Sequence, residues 1–162
     1  MNIKRLIGIF LIITFAFTCL VGCGGEQNTA AKEVLWTIGI EGVKDESIRL
    51  TNIDAEKIEI REITAILKKK DGSETEQAWK GYGIKEVLDY VKAGEYSSIV
   101  VEAGDGYSKE YTKDLIEREG TILGVILDGK ALEEDNNRVQ LVVQGEPGNL
   151  WIKDVAKIIV NK

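Results

Sequence analysis

Trp79-Lys80-Gly81-Tyr82-Gly83-Ile84-Lys85-Glu86-Val87-Leu88 carries the chain out of an extended strand and into a helix. Downstream of Gly83 the apolar residues Ile84, Val87, Leu88 and Val91 fall at i, i+3, i+4 and i+7, one face of a helix over residues 83–93. Gly94 stands where a helix C′ residue is expected. Upstream, residues 74–80 read as a strand that closes on Trp79. That strand returns from Lys70-Asp71-Gly72-Ser73, a hairpin signal with Asp-Gly at its centre. The outgoing strand lies within residues 56–69, where Ile58, Ile60, Ile63, Ile66 and Leu67 are the apolar members between charges.

The same reading extends to both ends. Trp36, Ile38 and Ile40 alternate with smaller or polar residues and predict a strand ending near Gly42. Residues 43–47 read as a turn. Ile48 and Leu50 then lead into Thr51-Asn52-Ile53-Asp54, where Thr51 or Asn52 caps a short helical turn. Residues 98–103 form a β-branched run that predicts a buried strand, interrupted by Gly104-Asp105-Gly106-Tyr107. A second helix is expected over 111–119, with Thr112 as its N-cap. Strands follow at 122–127, 139–143, 151–152 and 157–160, separated by Asp128-Gly129-Lys130 and by Gly145-Glu146-Pro147-Gly148. Strands dominate and helices sit in the crossovers, so the expected class is α+β, mixed and strand-rich.

Residues 1–33 do not belong to that pattern. Lys4 and Arg5 form a basic segment, and an apolar run follows from Leu6 to Leu20. The run is too short to span a bilayer comfortably, which takes about 20 apolar residues. Leu20-Val21-Gly22-Cys23 then resembles the bacterial lipobox, in which a Cys thiol takes a diacylglyceryl group and becomes the mature N-terminus. The expected organisation is a signal peptide at 1–22, a polar tether at 23–33 and a domain at 34–162. It places the protein on the extracytoplasmic face of a cell membrane, with Cys23 lipidated and the membrane as its first partner.

Charge and residue usage exclude several function classes. The chain carries 21 cations against 27 carboxylates, net −6; removal of Lys4 and Arg5 leaves 19 against 27, net −8. An acidic surface without a basic stripe argues against nucleic acid as a partner. There is no His, and the only cysteines are Cys19 and Cys23. Zinc sites of the Cys/His kind, Ser-His-Asp triads and His-ligated haem are therefore excluded. The run Glu133-Glu134-Asp135 reads as a solvated loop, and Lys68-Lys69-Lys70 as a soluble hairpin tip.

Six blocks, in order, resemble the oxidoreductase molybdopterin-binding domain of the sulfite oxidase type. They are Trp36-Thr37-Ile38-Gly39-Ile40-Glu41-Gly42-Val43, Leu50-Thr51-Asn52-Ile53-Asp54, the Trp79 to Leu88 stretch, Gly104-Asp105-Gly106-Tyr107, Leu127-Asp128-Gly129-Lys130-Ala131-Leu132, and residues 147–158 from Pro147-Gly148 through Trp151-Ile152-Lys153 to Ile158. The resemblance implies that family's strand-rich fold and molybdopterin as its cofactor. It places candidate cofactor contacts at Asp105, Gly106, Tyr107, Gly145, Gly148 and Lys153.

The departures from the family are equally specific. The family ligates molybdenum through a Cys upstream of the Trp-x-Gly block, and residues 63–79 hold none. The family grips the pterin phosphate with His and Arg. This chain has no His, and Gln140 stands about where the Arg is expected. The cations left in the late matching segments are Lys109, Lys113, Lys130, Arg138 and Lys153.

Each candidate has a plainer reading. Asp105-Gly106-Tyr107 lines a pocket or is simply a turn whose Gly takes positive φ. Gly145, Pro147 and Gly148 hold an anionic group or make a β-turn. Lys153 contacts a phosphate or is solvated. Trp79 and Trp151 read as core residues. The expectation is a non-catalytic module that binds a small molecule or an envelope protein and needs no cofactor. The alternatives are an active molybdenum-cofactor oxidoreductase and an accessory subunit of an envelope complex.

Cys23→Ala is expected to move the protein from the membrane pellet to the soluble extracytoplasmic fraction and to abolish incorporation of labelled fatty acid. Retention in the pellet without label would show attachment by some other means.

Overall fold

The computed structural model describes residues 32–43, 47–132 and 138–162. Cys23, the signal segment, the tether up to residue 31, part of the turn at 43–47 and Glu133-Glu134-Asp135 lie outside the described residues.

The chain builds two five-stranded sheets. The first runs in the order β2 (Ile48–Thr51), β1 (Thr37–Glu41), β10 (Val155–Asn161), β5 (Ser98–Ala103), β6 (Ser108–Thr112). Its opening and closing strands lie side by side in parallel, with Gly39 opposite Lys157 and Glu41 opposite Ile159. The second runs β3 (Ile60–Lys68), β4 (Glu74–Gly83), β7 (Thr121–Leu127), with the short β8 (Lys130–Ala131) and β9 (Gln140–Val143) both pairing β7. The β3–β4 hairpin is the longest ladder, from Ile60 opposite Tyr82 to Lys68 opposite Glu74. Its tip closes through Lys69 N–H to the Ser73 carbonyl at 2.9 Å, with Gly72 at φ 83°.

The helices stand where the chain crosses between sheets. β2 passes through α1 (Asn52–Ala55) to β3, β4 through α2 (Ile84–Tyr90) to β5, and β6 through α3 (Lys113–Ile116) to β7. A 3-10 turn at Gly148–Leu150 makes the fourth crossing, from β9 to β10. At α1 the expected cap is present as a capping box. Thr51 Oγ1 accepts from Asp54 N–H at 3.3 Å, and Asp54 Oδ2 accepts from Thr51 N–H at 3.1 Å. The Thr51 hydroxyl, bonded to the same carboxylate, holds Asp54 below the usual carboxylate range.

One core serves both sheets. Ile38, Ile40, Ile99, Val101 and Ile158 come from the first, and Trp79, Ile122, Leu123, Leu141 and Val142 from the second. Ile84, Val87 and Leu88 bury the predicted face of α2 against them. Close packing between β4 and β7 is the reason for two glycines. A Cβ on Gly124 would come within 2.5 Å of the Trp79 ring, and one on Gly81 would run into the Leu123 carbonyl. The β4–β7 ladder shifts register between Lys80 and Gly81 at that point.

Three local expectations change. Residues 111–119 are not one helix. Ser108–Thr112 extends as β6, with Thr112 opposite Ser98 and Ser108 opposite Glu102, and only four residues turn helically after it. Asp105-Gly106 makes a hairpin there, and pairing along β5 outweighs the i, i+4 spacing of Tyr111 and Leu115. Helix α2 ends three residues early. Lys92, at φ 59°, takes the C′ position expected of Gly94: its N–H reaches the Asp89 carbonyl at 3.0 Å, and Ala93 N–H reaches Leu88 at 2.9 Å. The strand preceding the hairpin starts at Ile60, because residues 55–58 still turn, with Ile58 N–H on the Ala55 carbonyl at 2.9 Å.

A left-handed backbone costs an L-residue about 1–2 kcal/mol, partly offset by the greater unfolded-state freedom of glycine. Lys92→Gly is therefore expected to stabilise the fold by roughly 0.5–1 kcal/mol, read as a rise of a few degrees in Tm. A fall in Tm would show that the Lys92 side chain matters more than its backbone.

Candidate anion-binding cleft

The end of β3 meets the 3-10 turn. Lys68 pairs with Pro147 in a single parallel bridge. Gly148 packs so closely on β3 that a Cβ there would lie 2.7 Å from Leu67 Cδ1 and 3.0 Å from the Lys68 carbonyl. Two buried donors hold the turn from beneath. Trp151 Nε1 donates to the Val143 carbonyl at 2.9 Å, and the Tyr111 hydroxyl donates to the Leu150 carbonyl at 2.8 Å. Burial, with a smaller contribution from Tyr107, pushes the Tyr111 hydroxyl above the ordinary phenol range, so it remains a donor at physiological pH.

Between these parts lies a cleft of about 510 Å³, a volume typical of small-ligand sites. Lys68, Lys69, Lys70, Lys153 and Tyr107 line it, and Trp151 and Leu67 give it apolar surface. None of these four lysines is in an ion pair among the described residues, whereas Lys57, Lys80, Lys85, Lys113 and Lys157 all are. Gln140 also borders the cleft. It is 93% buried, and its amide has no hydrogen-bond partner among the described residues. The amide still reaches the solvent of the cleft, since the one sealed, unpartnered side-chain polar atom among the described residues is Glu86 Oε2, so a ligand oxygen there would replace water. Four unpaired ammoniums and a free amide form a donor set for an anion, and phosphate suits lysine point charges.

The sequence candidates divide between the cleft and its supports. Tyr107, Gly148 and Lys153 line it. Asp105 and Gly106 build the turn that presents Tyr107: Asp105 Oδ1 accepts from Tyr107 N–H at 2.9 Å, and Gly106 takes φ 87°. The Tyr107 hydroxyl reaches the Asn149 carbonyl at 3.5 Å across the cleft. Gly145, at φ 84°, turns the chain before Pro147 and does not border the cleft. Lys68, Lys69 and Lys70 are exposed at the hairpin tip, as expected, and they also line the cleft. Only the long-range bridge to Pro147 brings them there, and no local pattern signals it.

The donor set does not suit a molybdenum ion. No group of three or more His, Cys, Asp or Glu residues gathers among the described residues, and the strand end that faces the cleft offers ammonium groups where thiolate would be needed. An anionic group such as a pterin phosphate would still find cations there.

No family model and no curated protein matches the chain. Among solved structures it is similar to the sulfane dehydrogenase SoxCD from Paracoccus pantotrophus, with a TM-score of 0.67 and 18% identity over 78% of this chain. The match spans 38% of the SoxCD chain. The two share a fold over that region.

Tyr111→Phe removes one buried hydrogen bond beneath the cleft. It is expected to cost about 1 kcal/mol, read as a lower urea midpoint at unchanged m. An unchanged midpoint would mean that water replaces the bond.

Proposed function

We propose that this protein is a lipid-anchored extracytoplasmic lipoprotein. Its domain is a non-catalytic module of the sulfite oxidase molybdopterin-binding type that captures a small anionic ligand. One observation carries the reading: Lys68, Lys69, Lys70 and Lys153, none of them in an ion pair among the described residues, line one cleft that Gln140 also borders. Cations gathered without carboxylates in a chain of net charge −6 lower the local cost of an anion. The absence of thiolate and imidazole at the same place supports binding without molybdenum chemistry. The anchor expected at Cys23 would hold the cleft at the membrane surface, where a captured ligand is retained for transfer or sensing.

The fold likeness to SoxCD favours a second reading, a molybdenum-cofactor oxidoreductase. Metal analysis of protein purified from its native membrane separates the two. Stoichiometric molybdenum would sink the non-catalytic reading.

Calorimetric titration with inorganic phosphate and pyrophosphate is expected to show binding that weakens as salt rises, because the Debye length shrinks from about 10 Å at 0.1 M to about 3 Å at 1 M. Lys153→Gln and Lys69→Gln should each weaken pyrophosphate about tenfold, the loss of one charge-assisted hydrogen bond. Absence of binding, or binding indifferent to both substitutions, would remove the anion reading.

A further inference from the structure

The lysine cleft is not a closed chamber. A second recess of about 590 Å³ adjoins it, with Gln140 and Lys153 in both walls. A third, of about 550 Å³, adjoins the second, with Ala131 and Leu132 in both walls. Among the described residues the three are neighbours along β8 and the start of β9, each sharing wall residues with the next. Their character changes along the series. One end carries the unpaired lysines. At the other, Trp36 and Tyr82 meet with ring centroids 6.4 Å apart and planes tilted by 54°, beside Leu35 and Val125. Asn52, Glu56 and Arg138 border this end too; Glu56 is paired with Lys32, and Arg138 has a partner of its own.

The geometry points to an amphiphile as the ligand: a phosphate head in the lysine cleft and one alkyl chain lying over Ala131 and Leu132 toward Trp36 and Tyr82. This inference rests on the anion reading above and adds the tail. Charge complementarity sets the polarity of the occupant. A phosphate dianion suits several lysine ammoniums better than a carboxylate, whose two oxygens match the planar arginine fork. The apolar end needs the opposite chemistry. Trp36 and Tyr82 are only partly buried, and Leu35 is 47% exposed, so an alkyl chain there removes apolar surface from water that the fold leaves uncovered. Gln140 stands at the junction, in the walls of the first and second recesses, where its solvent-reaching amide would meet the ligand between head and chain.

The experiment uses the full chain in phosphatidylcholine nanodiscs, with empty discs as the blank. The titrants are inorganic phosphate, butyl phosphate, octyl phosphate and octyl glucoside. A fully buried methylene tightens binding about fourfold, so octyl phosphate is expected to bind roughly tenfold or more tighter than butyl phosphate. Octyl glucoside, with the same tail and no charge, is expected to bind far more weakly. Ala131 is exposed on the two-residue β8. Ala131→Trp should block the tail, bringing the octyl and butyl phosphates to within about twofold while phosphate binding stays unchanged. Ala131→Glu, which adds charge with less bulk, should do the same, and an unshifted thermal transition checks that both variants fold. Discs doped with a lysophosphatidate that compete with octyl phosphate would identify a bilayer lipid as the source; octyl phosphate binding without such competition would identify a ligand taken from solution. Phosphate binding with equal affinity for butyl and octyl phosphate would overturn the tail alone. Failure of every anion to bind would overturn the anion reading as well.

Discussion

Trp79 and Trp151 meet edge to face, with ring centroids 6.2 Å apart and planes at 74°, and both are almost wholly buried. Trp79 belongs to β4 in the middle of the second sheet, and Trp151 follows the 3-10 turn that leads to the first. Their contact joins the two halves of the core at the place where the chain makes its last crossing. Aromatic side chains bury about 150–250 Å² each, and an offset or edge pair adds about 0.5–1.5 kcal/mol beyond that burial. Gly124 gives the Trp79 ring its space, and the indole N–H of Trp151 finds the Val143 carbonyl. Without that seat the turn carrying Gly148 would lose its support, and the cleft would lose a wall.

The cleft is a consequence of how the second sheet ends. β3 is an edge strand, and a bare edge invites pairing with another chain. Here part of that edge is occupied. Gln144 donates to the Thr64 carbonyl at 2.8 Å, and Pro147 bridges Lys68. The three lysines where β3 ends both discourage edge-to-edge pairing and supply charge to the cleft. Their mutual repulsion is small in water, because exposed charges are screened. An anion between them gains from all of them at once, so the arrangement costs the folded protein little and favours a ligand strongly.

Much of the local structure was legible because it rests on local physics. The Asp71-Gly72 turn, the cap at Thr51, the helical face of Ile84, Val87 and Leu88, and the buried run at 98–103 each follow from turn chemistry or period. The misreadings differ in origin. Tyr111 and Leu115 have helical spacing, yet ladder bonds to β5 recruit residues 108–112 into the sheet. Gly94 is the better C′ residue, yet Lys92 takes the position, and the helix closes there although Val91 and Ala93 still pack into the core. At the cleft, Tyr107, Gly148 and Lys153 are residues that the resemblance had singled out as candidates, while Lys68, Lys69 and Lys70 are not. Three lysines beside Asp-Gly read the same whether they face water or a cleft.

The sequence by itself determined the basic and apolar start, the absence of His, the acidic balance, the turns and the identity of the core tryptophans. These are properties of composition, period and nearest neighbours. Tertiary structure alone decided the parallel pairing of β1 with β10, the four crossings between sheets and the convergence of Lys68, Lys69 and Lys70 with Lys153. Register between distant strands is chosen by which side chains fit together in one core. No short window of sequence contains both partners of that choice.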